Sequence, residues 1–111
     1  GPTPGRAAQL QKKFLIIDGL ENYKEFKGIE SNPLIRSSIV CPLLFRGEVL
    51  GVINMNRTFL QHNFTVPDLM NVSILADLAS SMIHNVKLGA SLNEKISQLE
   101  AAKMRLKYLE S

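Results

Sequence analysis

Ser37-Ser38-Ile39-Val40-Cys41-Pro42-Leu43-Leu44-Phe45-Arg46-Gly47-Glu48-Val49-Leu50-Gly51-Val52-Ile53-Asn54-Met55-Asn56 is the stretch that decides the fold. Two runs rich in β-branched and large apolar residues, Ser38 to Phe45 and Val49 to Asn56, flank Arg46-Gly47-Glu48. Glycine supplies the positive φ that a tight reversal demands, so the pattern predicts an antiparallel hairpin. Pro42 removes one ladder donor and places a sheet edge, a bulge or the end of pairing at that point. Gly51 leaves room for something to pack closely against the backbone.

Upstream of the hairpin, Phe14-Leu15-Ile16-Ile17 is a short apolar run stopped by Asp18-Gly19, which predicts a buried strand. Before it, Arg6 to Lys13 carries good helix formers, with Ala7, Leu10 and Ala8 on one side. Gly1-Pro2-Thr3-Pro4-Gly5 is dense in turn formers and reads as a structureless start. Between strand and hairpin, Tyr23 and Phe26 lie three apart in Glu21 to Lys27, which predicts a short surface helix inside a long connection.

Downstream, Thr65-Val66-Pro67-Asp68 combines a hydroxyl cap, an early proline and an acid three residues after the cap, the signature of a helix start. Leu69, Val72, Leu75, Leu78, Ala79, Met82, Ile83 and Val86 then recur at helical spacing as a broad apolar stripe. Gly89 costs about 1 kcal/mol relative to alanine but need not end the helix. Beyond it the stripe narrows to Leu92, Ile96, Leu99 and Leu106, with Lys103 between the last two, in the alternating four- and three-residue spacing of a coiled-coil seam. A narrow seam on a polar helix finds its most economical partner in the same helix of a second chain. The expected dimer interface is Leu75, Leu78, Met82, Val86, Gly89, Leu92, Ile96, Leu99, Lys103 and Leu106.

Bulk properties exclude several function classes. The 111 residues fit one small domain plus an extension, and the 45% apolar share is that of an ordinary globular protein. A net charge of only +3, with basic and acidic residues interleaved, gives no electrostatic footprint for nucleic acid. Apolar runs such as Ile39 to Phe45 fall far short of the roughly 20 residues that cross a bilayer, so no membrane contact is expected of the chain. The single cysteine, Cys41, cannot form an internal disulfide, and no secretory leader is present, which points to a cytoplasmic location. No phosphate loop, paired acid constellation or nucleophile elbow occurs, so the expected function is not enzymatic. His62 and His84 are too far apart for a local metal motif.

Together, Ser37-Ser38-Ile39-Val40-Cys41-Pro42-Leu43, Gly47-Glu48-Val49-Leu50-Gly51-Val52-Ile53-Asn54, Phe64-Thr65 with Asp68-Leu69, and Leu75-Ala76-Asp77-Leu78-Ala79 resemble the second half of a GAF domain. This is the sensing fold of phosphodiesterases, histidine kinases, phytochromes and bacterial transcription regulators. The resemblance runs from about Phe14 to Leu88. It implies an α+β class, with a GAF-like antiparallel sheet packed on helices and a long C-terminal helix. The opening helix and first two strands of the family's sheet look absent. The implied division is a disordered start over 1–5, a partial GAF-like domain over 6–88 and a coiled-coil signalling helix over 89–111.

By that resemblance the chain is a sensory module of a signal-transduction protein, a homodimer that relays small-molecule binding through its last helix to an output domain of the parent chain. That parent would be a histidine kinase, a nucleotide cyclase or a transcription regulator. The alternatives are a ligand-free structural dimerisation module and the effector domain of a transcription regulator. No cofactor is specified; a small molecule or cyclic nucleotide is conceivable. The ligand-binding candidates are Asp18, Glu21 and Arg36 on the connection over the pocket, Ser38 and Cys41 on the first hairpin strand, and Asn54, Asn56 and Arg57 where the second ends. Against each stands a plainer structural role: Cys41 as a buried strand residue, the asparagines and arginine as groups capping their own strand. The family's methionine sulfoxide reductases need more than one cysteine, so Cys41 alone argues against that activity.

Overall fold

A computed structural model describes residues 2–110. In chain order these form α1 (Pro2–Leu10), β1 (Phe14–Ile17), a single 3-10 turn (Lys24–Phe26), β2 (Ile35–Phe45), β3 (Glu48–Thr58) and α2 (Val66–Glu110). The strands make one antiparallel sheet in the order β1-β2-β3. The α+β class and the long last helix are as expected. Contacts divide the chain into two compact units, Gly1–Ser81 and Met82–Ser111. That boundary falls earlier than one after Leu88, and α2 runs through Gly89 without a break. Gly1 and Ser111, the outermost residues of the expected start and signalling helix, lie outside the described residues.

The start is the first correction. Residues 2–5 are helical, not structureless. Pro2 and Pro4 fall in the first turn, where backbone N–H groups have no intrahelical acceptor and a missing donor costs nothing. Ala7 is fully buried, whereas Leu10 is exposed, so the helix docks through its smallest side chain. With Ile16, Phe26 and Val40, Ala7 makes the core on one face of the sheet, and Phe14 meets the Phe26 ring edge-on at 4.7 Å. Phe26 also corrects the connection: Glu21 to Lys27 holds one 3-10 turn, and its aromatic residue is core, not surface.

The hairpin forms as its composition dictates. Phe45 pairs with Glu48 across a two-residue reversal in which Arg46 (φ 50°) and Gly47 (φ 80°) are both left-handed, the twist-matched geometry of a tight hairpin. Pairing between β1 and β2 stops at Val40, so Pro42 stands where β2 has one neighbour instead of two. Of the possibilities Pro42 raised, the end of pairing is the one realised. Gly51 faces Leu43 across the ladder, and a Cβ there would lie 3.3 Å from the leucine Cδ1.

Strand alternation sends Val40, Val52 and Asn54 to the α1 face, and Ile39, Cys41 and Ile53 to the other. The second face is covered by the first turns of α2. There Val72, Ala76 and Ser80 are buried, Lys13 Nζ donates to Ser73 Oγ (2.9 Å), and Ser80 Oγ donates to the Ala76 carbonyl (2.7 Å). Leu75 and Leu78 are exposed. The broad stripe read from the sequence is thus two faces: small residues inward, large ones outward. In the second unit Met82, Val86, Leu92, Ile96, Leu99 and Leu106 are exposed as well.

By length and composition alone α2 is apolar enough to cross a membrane, with an 18-residue stretch of mean hydropathy 1.2. Such a stretch is also what an amphipathic helix shows when its apolar residues await another helix, and burial of Val72 and Ala76 within the domain favours that account.

Candidate functional site

On the α1 face the open end of the sheet meets the long connection and leaves a cavity of about 270 Å³. Its floor is Ile16, Ser38, Asn54 and Asn56; its walls are Leu20, residues 30–32, Ile35, Arg36 and the first turn of α1. The strands set the floor, because Ser38 stands opposite Asn56 and Val40 opposite Asn54, which brings both asparagines to one face. Ser38 Oγ donates to Asn56 Oδ1 at 2.6 Å, and Ser38 is almost wholly buried.

The connection is shaped by its own polar groups. The Ser31 hydroxyl accepts the Leu20 N–H (2.8 Å) and donates to the Glu21 carboxylate. The Glu21 backbone N–H, and after it the Ser31 hydroxyl, hold the Glu21 carboxyl below the usual glutamate range. Asn32 Oδ1 accepts the Leu34 N–H (3.0 Å), and the Asn32 carbonyl accepts that of Ile35 (3.1 Å), which turns the chain into β2. Tyr23 Oη accepts the Ile17 N–H (3.0 Å) at the end of β1. Arg6 Nη1 donates to the carbonyls of Glu25 (2.8 Å) and Lys27 (3.3 Å), tying α1 to the same connection. Arg36 Nη1 donates to the Gln61 carbonyl (3.2 Å), joining the connection to the loop after β3.

A second hollow adjoins the first, shares Gly19, Glu30, Ser31, Asn32 and Ile35 with it, and adds Asp18, Glu21 and the exposed ring of Phe59. The structure therefore brings Asp18, Glu21, Arg36, Ser38, Asn54 and Asn56 to one region.

Two candidates lie elsewhere. Cys41 is buried on the opposite face, where burial pushes its thiol up, against the opposing charge of Lys13 and with Asp77 adding to the rise. Arg57 pairs with Ser37 on that same face, with its guanidinium 4.3 Å over the Phe64 ring and Nη1 donating to the His62 carbonyl (3.2 Å). One step of alternation separates them from the floor of the cleft: between the two register shifts, Ile39 and Cys41 of β2 and Ile53, Met55 and Arg57 of β3 face away from Ser38, Asn54 and Asn56. Sequence reasoning missed Pro2, Thr3 and Pro4, because a wall made of a helix start was invisible while that start was read as structureless. Ser31 and Asn32 carried the signal of an Asx turn without that of a cavity. Among the described residues, no group of three His, Cys, Asp or Glu side chains is placed to hold a metal ion.

A three-stranded antiparallel sheet with a helix over each face and a polar-floored cleft at its open end defines a small α+β module. The model of the GAF domain family matches residues 1–83, and the chain belongs to that family. GAF domains are generally regulatory or sensory modules of signalling proteins, typically not catalytic and usually soluble and cytoplasmic. A search of curated proteins found no match.

Proposed function

We propose that the chain is a homodimeric sensor module: the cleft takes a small molecule, and α2 pairs with α2 of a second copy to carry the signal to an output domain of the parent protein. The observation that carries this reading is the exposed row Met82, Leu92, Ile96, Leu99 and Leu106 on the second unit. Such a row on a water-surrounded helix is costly unless covered, and its heptad spacing matches that of a helix of the same kind. Gly89 and Lys103 fall in this row as weak layers, where two packings lie close in energy and a small rotation or register change passes along the helix.

Sedimentation equilibrium on the whole chain tests it. Two subunits per particle at micromolar concentration are expected; a single subunit at high micromolar concentration sinks the proposal.

A further inference from the structure

We infer that the cleft takes a small uncharged ligand presenting a lactam-like edge, an N–H beside a C=O, and that it rejects phosphate-bearing ligands. The inference rests on the reading of the cleft as a sensor's binding site and specifies its chemistry.

The floor has the matching polarity. Because Ser38 donates to Asn56 Oδ1, that carbonyl is committed and the Asn56 amide NH₂ is left as a donor, while the Ser38 oxygen keeps its lone pairs. Asn54, two residues along on the same face, offers a second amide that makes no hydrogen bond within the described protein. The Ser38 oxygen and the Asn56 amide NH₂, held together by their 2.6 Å bond, present one acceptor and one donor side by side to an amide edge, and Asn54 stands roughly 7 Å along the strand for a second polar group. Ile16 and Leu20 supply apolar surface for a flat ring. The size agrees with a small ligand: about 270 Å³ lies just under the roughly 300 Å³ at which ligand pockets begin.

The electrostatics disfavour an anion. Glu30 lines both hollows, and Asp18 and Glu21 line the adjoining one, so an incoming phosphate meets carboxylates. Among the described residues the cation on the wall is Arg36, and it already gives Nη1 to the Gln61 carbonyl. The start of α1 offers little in its place, because Pro2 and Pro4 have no N–H to donate to a phosphate oxygen.

The test is the melting temperature of the whole chain with two sets of probes: uracil and nicotinamide as neutral amide-edged rings, inorganic phosphate and cyclic AMP as anions. At ten times its dissociation constant a true ligand raises melting by a few degrees. A neutral probe should do so, with about tenfold weaker binding in Asn54→Ala, an exposed position whose substitution leaves the unliganded melting temperature in place, and in Asn56→Leu, which melts lower unliganded because the Ser38 hydroxyl loses its acceptor and is therefore compared with its own unliganded value. Stabilisation by cyclic AMP or phosphate alone overturns this inference while leaving the sensor reading intact. A neutral probe that binds both variants as well as the parent overturns it too, since the site would then be elsewhere. No response to either set overturns both this inference and ligand sensing, and leaves dimerisation to stand on its own measurement.

Discussion

The hydroxyl of Ser37 accepts the backbone N–H of Phe64 at 3.0 Å, a buried bond between residues 27 apart in sequence. It fixes the approach to α2 against the first residues of β2. Ser37→Ala strands a buried N–H, and the cost of such an orphan is about 1–3 kcal/mol. Urea unfolding of that variant should show a lower midpoint with an unchanged slope.

Phe26 is the largest of the fully buried side chains, and it joins the 3-10 turn to both α1 and β1. Phe26→Ala should cost about 3–5 kcal/mol. A small domain has little to spare, so circular dichroism is expected to find the variant largely unfolded near body temperature. A loss under 1 kcal/mol would show that the connection is not part of the core.

At the start of α2, Asp68 Oδ2 accepts the Thr65 N–H (2.8 Å) and Thr65 Oγ1 accepts the Asp68 N–H (3.4 Å). Thr65→Ala should cost about 1 kcal/mol. The Thr65 backbone bond, then the Thr65 hydroxyl, lowers the Asp68 carboxyl from its ordinary value. A group whose folded pKa is depressed contributes stability above its unfolded value, and that contribution disappears as pH falls through the folded one. Glu21 behaves alike. Thermal melts should therefore lose stability below about pH 4, and Asp68→Asn should flatten that fall.

Burial of Cys41, with its thiol pushed up, predicts a nearly inert side chain at neutral pH. Ellman's reagent should label it only through opening of the fold, at a rate that climbs with urea concentration. Fast stoichiometric labelling of the native chain would contradict its placement under α2.

If α2 pairs with a copy of itself, Ile96→Asp puts two carboxylates into an apolar layer and should yield a monomer by sedimentation, with the melting of the first unit unchanged. Gly89→Leu with Lys103→Leu should do the opposite, tightening the pair and locking one packing. Signalling by the parent protein that stayed fully regulated in the double variant would count against a moving helix.

What was legible in the sequence was local. Arg46-Gly47 announces a hairpin because the reversal needs positive φ, and Thr65 with Asp68 announces a helix because two orphan N–H groups find acceptors three residues apart. What was not legible depended on tertiary context. Periodicity places Leu75, Leu78 and Val72 on one broad stripe, but only packing decides that Val72, with Ala76 and Ser80, is buried while Leu75 and Leu78 stay exposed. Phe26 reads as surface until β1 and α1 close around it. Of the binding candidates, Asn54, Asn56 and Arg57 are legible as the end of a strand, but which of them share a face with Ser38 depends on the register, and it sets Cys41 and Arg57 one step of alternation away.

The two-residue reversal at Arg46-Gly47 lies at the far tip of the hairpin from Ser38, whose strand runs seven residues, roughly 23 Å, before the turn begins after Phe45. Beyond the hydrogen bond from Gln11 to the Gly47 carbonyl, no other chain segment donates to that tip among the described residues. A fluorophore carried there would report on tumbling and proximity without blocking the mouth of the cleft, so occupancy and pairing become separately visible in one labelled molecule.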